Sequence, residues 1–231
     1  MLALCMVAPV QAAKFSVTPI RIYMAPKDKA IAVTITNDGD EEVVMQADVY
    51  LWKQKPNGED DLTLTEDMFL SPPIIKLKGK SHQVVRLARM NRTPSEKQLT
   101  YRMIVREIPE ASPAKANIQL QIALAFSMPV FITPPGASSK LDCVVERTAA
   151  NSVNAVCENK GNAYAQPLDF ELTNVAGDIL ASSDKGGYIL PSIKRSFDIK
   201  SADKNIPGGK AKLTVRLDDG SKQNYDVMLS E

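Results

Sequence analysis

Between Asn117 and Pro129 the chain reads NIQLQIALAFSMP, and large apolar residues alternate with small or amide ones. Ile118, Leu120, Ile122, Leu124, Phe126 and Met128 fall on one face; Gln119, Gln121, Ala123, Ala125 and Ser127 fall on the other. A repeat of two is the mark of a β-strand, and this one is about twice the usual strand length. A single small sandwich uses only part of such a strand, so the surplus predicts a strand offered to another protein. The plain alternative is that these residues face the core of their own domain.

The same pattern, punctuated by turns, runs through the rest of the first half. FSVTPIRIYM predicts a first strand in which Pro19 marks an edge or a switch between sheets. AIAVTITND alternates through Ile31, Val33 and Ile35 to a turn at Asn37-Asp38-Gly39. VVMQADVYLW is a strand followed by the polar loop KPNGEDD. MFLSPPIIKLKGKSHQVVRLARM predicts a Pro-marked turn, a short strand, the turn KGKSH and a strand from Gln83 to Leu87. TYRMIVREIPE is a further strand, and PEASPAKA leads into the long one. About seven strands at this spacing predict an immunoglobulin-like sandwich.

PPGASSK, after Ile132 and Thr133, is a turn-rich connector and a domain boundary. Beyond it LDCVVE, VNAVCEN, LDFELTNV, DILAS, GYILP, RSFDI, AKLTVRL and QNYDVML predict a second, smaller all-β sandwich. The expected division is a leader over residues 1–12, a first domain over 13–134 and a second over 135–231.

Composition narrows the function. The 231 residues carry a net charge of +1 with no basic block, and aromatics amount to six Phe, six Tyr and one Trp, which argues against a nucleic-acid partner. Fifteen prolines and eleven glycines favour short strands and turns over helices. The opening MLALCMVAPVQA is apolar, with Val10 and Ala12 suited to the positions before a signal-peptidase cut, and polar strand-like sequence follows at once. It lacks a basic start. A first strand is the bland reading of this run, and a lipid anchor at Cys5 is disfavoured by bulky Leu4. Once the leader is removed, Cys143 and Cys157 remain as an even pair in an exported chain, placed in neighbouring strand-like runs, and predict one disulfide worth roughly 2–4 kcal/mol.

Catalytic chemistry finds little support. The single histidine, His82, sits in a turn, no glycine-rich phosphate loop opens a helix, and two thiols with one histidine do not make a zinc site. Asp38, Asp40, Glu41 and Glu42 read as a solvated turn. No cofactor and no metal are expected, and the chain is not expected to be an enzyme.

Several blocks together carry a resemblance: ITND, SPPIIKLKGKSHQVVRLAR, YRMIVREIPE, and ANIQLQIALAF followed by PVFITPP. In this order they are similar to the periplasmic chaperones of the chaperone–usher pilus pathway, the PapD-like superfamily. The resemblance covers most of the first half; the second half matches by pattern alone. It implies an all-β fold of two immunoglobulin-like β-sandwich domains in tandem, in an L-shaped arrangement. It also implies a periplasmic chaperone that binds pilus or fimbrial subunits and passes them to an outer-membrane usher. Strand donation in this family is a known form of β-augmentation: backbone bonds supply register and alternating side chains supply affinity.

By that resemblance the donated residues are Leu120, Ile122, Leu124 and Phe126, with Ile118 peripheral. The family arginine that anchors a subunit's C-terminal carboxylate aligns with Arg21, whereas Pro129 stands where the family has a lysine. Arg86, Arg102 and Arg106 are candidates for a substitute cation, or for ordinary surface and domain-cleft ion pairs. Gln98 and Thr133 occupy positions of a family interdomain ion pair, a departure that suggests a divergent, archaic or alternative branch. Pro129 lacks a backbone donor, so pairing with a subunit should end or change register near it. A long apolar edge is a hazard in the free protein, which predicts shielding by self-association or by the loop from Glu107 to Ala116. The competing reading is an exported two-domain adhesion or receptor module that binds through its loops.

Overall fold

The computed structural model describes residues 15–109, 123–201 and 205–230, and these contain strands and turns but no helix. The first half forms two facing sheets from β1 (Phe15–Thr18), β2 (Ile22–Met24), β3 (Ala30–Asn37), β4 (Val43–Gln54) and β5 (Asp60–Leu64), followed by β6 (Met68–Ser71), β7 (Ile74–Leu77), β8 (Ser81–Arg89), β9 (Leu99–Glu107) and β10 (Ala125–Ile132). The first sheet has the order β1-β3-β8-β6; the second has β2-β10-β9-β4-β5, with β7 pairing the other end of β4. Alternate residues of both sheets meet in one core: Val33 and Ile35 on β3, Val85 and Leu87 on β8, Met45, Ala47 and Val49 on β4, Met103 and Val105 on β9, and Met128, Val130 and Ile132 on β10.

Prolines stand where the chain changes sheets. β1 pairs antiparallel with β3 in the first sheet. After the cis Thr18–Pro19 bond, β2 pairs parallel with β10 in the second. The cis Ser71–Pro72 bond likewise separates β6 on the first sheet from β7 on the second. A residue without a backbone donor is tolerated at such corners, where the ladder is already interrupted.

Three expectations are corrected. The segment expected as a polar loop is a hairpin: Asn57-Gly58 makes the turn, with Gly58 at φ +83°, and β5 pairs the overhanging end of β4 from Tyr50 to Gln54. Its residues are all exposed, so no apolar alternation betrays it, although the Asn-Gly pair is itself a hairpin signal. The strand expected to stop at Pro129 continues to Ile132. Glu107 N donates to Leu124 O at 2.9 Å, so the even residues of β10 point their backbone groups at β9 and the odd ones point away. Pro129 therefore costs the β9–β10 ladder no bond. Finally, Gly187–Pro191 is not a strand but a segment held by a bridge between Ala165 and Ile189.

The second half comprises β11 (Leu141–Ala149), β12 (Ser152–Asn159), β13 (Pro167–Asn174), β14 (Ile179–Ser183), β15 (Lys194–Lys200), β16 (Gly209–Leu217) and β17 (Lys222–Leu229). They follow one path, β11-β12-β15-β14-β13-β16-β17, joined at its middle by the single pair Ser182–Lys200. Its ends close on each other: Tyr225 Oη donates to Leu141 O at 3.1 Å and Arg147 Nε to Ser230 O at 2.8 Å. The strands thus wrap a second core that includes Phe170, Leu172, Phe197, Ile199, Leu213 and Val215.

Cys143 on β11 and Cys157 on β12 are direct cross-strand partners, bonded at 2.05 Å, as the sequence predicted. Both are buried in the second core. Replacing the pair by alanines should destabilise the second domain by about 2–4 kcal/mol, read as a lower urea midpoint by circular dichroism; an unchanged midpoint would mean that the bond adds nothing to the hairpin.

Candidate functional site

β10 presents two faces with different duties. Its even residues Met128, Val130 and Ile132 fill the first core, and Phe126 and Leu124 continue that row to the core's margin, half-buried and packed against it. Phe126 meets Phe15 of β1 with ring centroids 4.7 Å apart. For these two residues the geometry in the free chain is contact with their own domain. Ile118, Leu120 and Ile122 lie outside the described residues, as does most of the loop running to Ala116.

The edge of β10 is as telling as its faces. β2 covers only Val130–Ile132, while β9 pairs the full length from Ala125 to Ile132 on the other side. Among the described residues no strand lies beside Ala125, Ser127 and Pro129 on the outward side, where their backbone groups point. An added strand can find donors and acceptors at Ala125 and Ser127; at Pro129 the donor is missing.

The odd residue Phe131 points to the outer face of the second sheet, onto which the second domain docks. Phe131 and Trp52 of β4 are fully buried against Leu190, with Tyr164, Tyr188 and Ile193 packed around them. Phe131 stacks on Tyr164 at 4.2 Å and on Tyr23 of β2 at 5.6 Å, and Trp52 meets Tyr188 edge-on at 5.2 Å. Amide side chains clasp this contact. Gln54 donates to Tyr188 O at 3.1 Å and accepts from Leu190 N at 2.9 Å. Gln98 donates to Thr133 Oγ1 at 2.8 Å and accepts from Tyr164 N at 2.9 Å. The two positions singled out as an absent ion pair are therefore in contact, as a neutral clasp.

Arg21 lies in the corner between β1 and β2, its Nη1 2.8 Å from Asp218 Oδ2 in the β16–β17 turn. Asp218 also accepts from Tyr164 Oη at 3.1 Å, and the Tyr164 and Tyr23 hydroxyls share a 2.8 Å hydrogen bond. Burial works against the Arg21 charge, but the Tyr23 hydroxyl beside it and the fields of Tyr188 and Asp218 outweigh this and raise its pKa. Burial, helped by Tyr23 and Asp218, pushes the Tyr164 hydroxyl far up, so it stays a neutral donor. The guanidinium of Arg21 is also 5.9 Å from the Tyr188 ring.

Arg102 is the direct cross-strand partner of Pro129. Its guanidinium covers Trp52 at 3.8 Å, sits 5.5 Å from the Tyr188 ring and reaches Asp60 at 3.4 Å. Burial lowers its pKa against the opposing pull of Asp60 and Tyr188. Arg21 and Arg102 thus flank one tyrosine ring at the junction, and each already has a carboxylate. Their side chains are 34 % and 14 % exposed, so Arg21 is the more accessible. Arg106, opposite Ala125, is held by Tyr50 Oη at 2.9 Å and Asp48 at 3.2 Å. Arg86 is exposed on β8 of the other sheet and is not brought to the junction.

Sequence reasoning missed Asp218, Tyr23, Tyr164, Tyr188, Trp52 and Phe131. Only Phe131 carried a signal: in the run VFI the apolar residues cease to alternate, which marks a strand covered on both faces.

Residues 14–138 match the family model described as "Pili and flagellar-assembly chaperone, PapD N-terminal domain". The chain belongs to this chaperone family. Solved structures of similar fold extend the likeness over both halves. A chain of the CsuC–CsuE chaperone–tip adhesion subunit pre-assembly complex, from the archaic chaperone–usher Csu pili of Acinetobacter baumannii, is 20% identical with a TM-score of 0.68, covering 95% of this chain and 100% of that one. The Salmonella enterica structure of the SafA pilin with the SafB chaperone gives 15% and 0.63, with 96% and 99% covered. The E. coli chaperone DraB gives 19% and 0.58, with 94% and 97% covered. No curated protein matches the sequence significantly.

The chain's one tryptophan reports on the chaperone's domain junction. Phe131→Ala should remove about 3–5 kcal/mol of packing and shift Trp52 emission to longer wavelength, with faster proteolysis between Thr133 and Lys140. Unchanged emission and cleavage would show that Phe131 does not hold the two domains together.

Proposed function

We propose that this chaperone binds pilus or fimbrial subunits in the periplasm by strand donation and passes them to an outer-membrane usher, acting by binding alone. The observation that carries the reading is the outward edge of β10 at Ala125 and Ser127, continuous with an apolar row that runs out of its own core at Phe126 and Leu124. By the sequence alternation Ile122, Leu120 and Ile118 prolong the same row. A subunit lacking a strand receives backbone bonds from the edge and side chains from the row. Burying Leu120 and Ile122 contributes on the order of 3–6 kcal/mol before ordering costs, and Leu124 and Phe126, already half-buried against their own core, each add less than a full burial. The complexes named for the Csu and Saf relatives, each a chaperone with its subunit, support this reading.

Pro129 ends the pairing edge, and the cations beside it anchor the subunit's terminal carboxylate. Arg21 is the first of them. Arg102 supplies the second, because it stands across the ladder from Pro129 and shares the Tyr188 ring with Arg21. Guanidinium forks suit a carboxylate, and Asp218 holds Arg21 in place until one arrives. Residues 1–12 are the leader that directs export, 13–134 the strand-donating domain and 135–231 the second domain. In the free protein self-association shields the donor edge.

Ile122→Glu with Leu124→Glu should abolish subunit capture in a periplasmic pull-down while leaving the chain folded by circular dichroism; a module binding through its loops would keep its ligand. Arg21→Ala should weaken capture about tenfold or more, the worth of a hydrogen bond to a charged group, whereas Asp218→Asn should not weaken it. Equal losses in both variants would make Arg21 a hinge pin rather than an anchor.

A further inference from the structure

The inward row of β8 runs Val85, Leu87 and then Arg89, so an arginine stands where the pattern calls for a third apolar residue. Arg89 is only 4 % exposed. Its backbone N donates to Lys29 O at 2.9 Å, and its Nη1 donates to Pro26 O at 2.7 Å. Its Nε is buried with no hydrogen-bond partner among the described residues. Among the described residues no carboxylate lies within ion-pairing distance of it. Asp67 is nearby, but its carboxylate is occupied by Tyr101 Oη at 3.1 Å and Asn91 Nδ2 at 3.1 Å. A buried cation left without a counter-charge is costly, and a neutral side chain of similar size would fill the space without that cost.

Arg89 borders a cavity of about 260 Å³ at the end of the first sandwich, where Leu99 of β9 and Ile132 of β10 form the apolar wall. Three more cations line it: Lys27, Arg92 and Lys97; none of the lining residues is acidic. Among the described residues none of the four cations is in an ion pair, although Lys97 Nζ donates to Ser192 Oγ of the second domain at 3.1 Å. Four unpaired cations around one space ask for more negative charge than a single carboxylate carries.

We propose that this cavity binds a phosphate-class oxyanion. Arg89 supplies a fixed charge from below, and Lys27, Arg92 and Lys97 close on the oxygens from the rim. A guanidinium with one amino group tied to a backbone carbonyl is oriented, which favours recognition of an oxyanion by its remaining donors. Free phosphate and the phosphorylated headgroup of a lipid present the same chemistry to such a site. The site is separate from the donor edge and from the Arg21–Arg102 junction, and it does not depend on how subunits are captured.

The test titrates the full chain with inorganic phosphate against chloride at matched ionic strength, followed by thermal melting and phosphorus NMR, and in parallel measures co-sedimentation with phosphatidylglycerol and phosphatidylcholine vesicles. Phosphate should raise the melting temperature where chloride does not. Arg92→Gln with Lys97→Gln, both on the surface, should reduce that affinity about tenfold or more, as for loss of hydrogen bonds between charged groups. Arg89→Gln should abolish it if the variant folds, and the double variant decides the matter if it does not. Stabilisation by free phosphate without vesicle binding identifies the free anion. Binding to phosphatidylglycerol but not phosphatidylcholine, lost in the double variant, identifies the headgroup. The proposal is overturned if phosphate acts no differently from chloride and neither vesicle binds, or if the double variant binds as well as the parent.

Discussion

The contact between Phe131 and the aromatic cluster of the second domain depends on the two-sidedness of β10. A strand shows alternate residues to opposite faces, so one segment can place Met128, Val130 and Ile132 in the first core while Phe131 is buried against Trp52 and Leu190 outside it. Cutting either set would cost the other its support. The docked domain therefore reads as an extension of the first sandwich's packing, and the position of Arg21 relative to Asp218 and Tyr188 follows from it.

That arrangement also decides where pairing is free and where it is closed. β2 reaches only the last three residues of β10, because Pro19 turns the chain from one sheet to the other just before it. The strand end nearest the second domain is thus enclosed between β2 and β9, while its start keeps an outward side. An exposed edge is usually suppressed by charge, proline or cover. Here Pro129 sits at the boundary between the two regimes, on the outward side, where its missing N–H leaves the ladder to β9 undisturbed.

Electrostatics at the junction is arranged through neutral and shared groups. Tyr23, Tyr164 and Asp218 form a chain of hydrogen bonds that ends on Arg21, and Gln54 and Gln98 bind backbone groups of the opposite domain. Neutral amides give directional bonds without the desolvation cost that a buried ion pair carries. Such a clasp holds the domains in register and leaves Arg21, the more exposed cation, its remaining donors. The buried Arg89 follows a different logic, since no carboxylate among the described residues pairs with it.

Alternation and turn chemistry were enough to determine the all-β class and the position of most strands, to narrow Pro19 to an edge or a switch between sheets, and to indicate the disulfide, since each rests on neighbours within a few residues or on the two cysteines of the second half. The hairpin of β5 escaped because its strand is exposed on both faces, and the segment read as a strand at Gly187–Pro191 proved to be a bridge-held connection that divides its apolar residues, Ile189 entering its own core and Tyr188 and Leu190 packing at the junction. Tertiary structure alone decided that Leu124 and Phe126 touch their own core in the free chain, that Gln98 meets Thr133, and that Arg102 rather than Arg86 stands beside Arg21. These depend on residues far apart in sequence being brought together by sheet order and domain docking, and period-two patterning records which face a side chain takes but not what lies across from it.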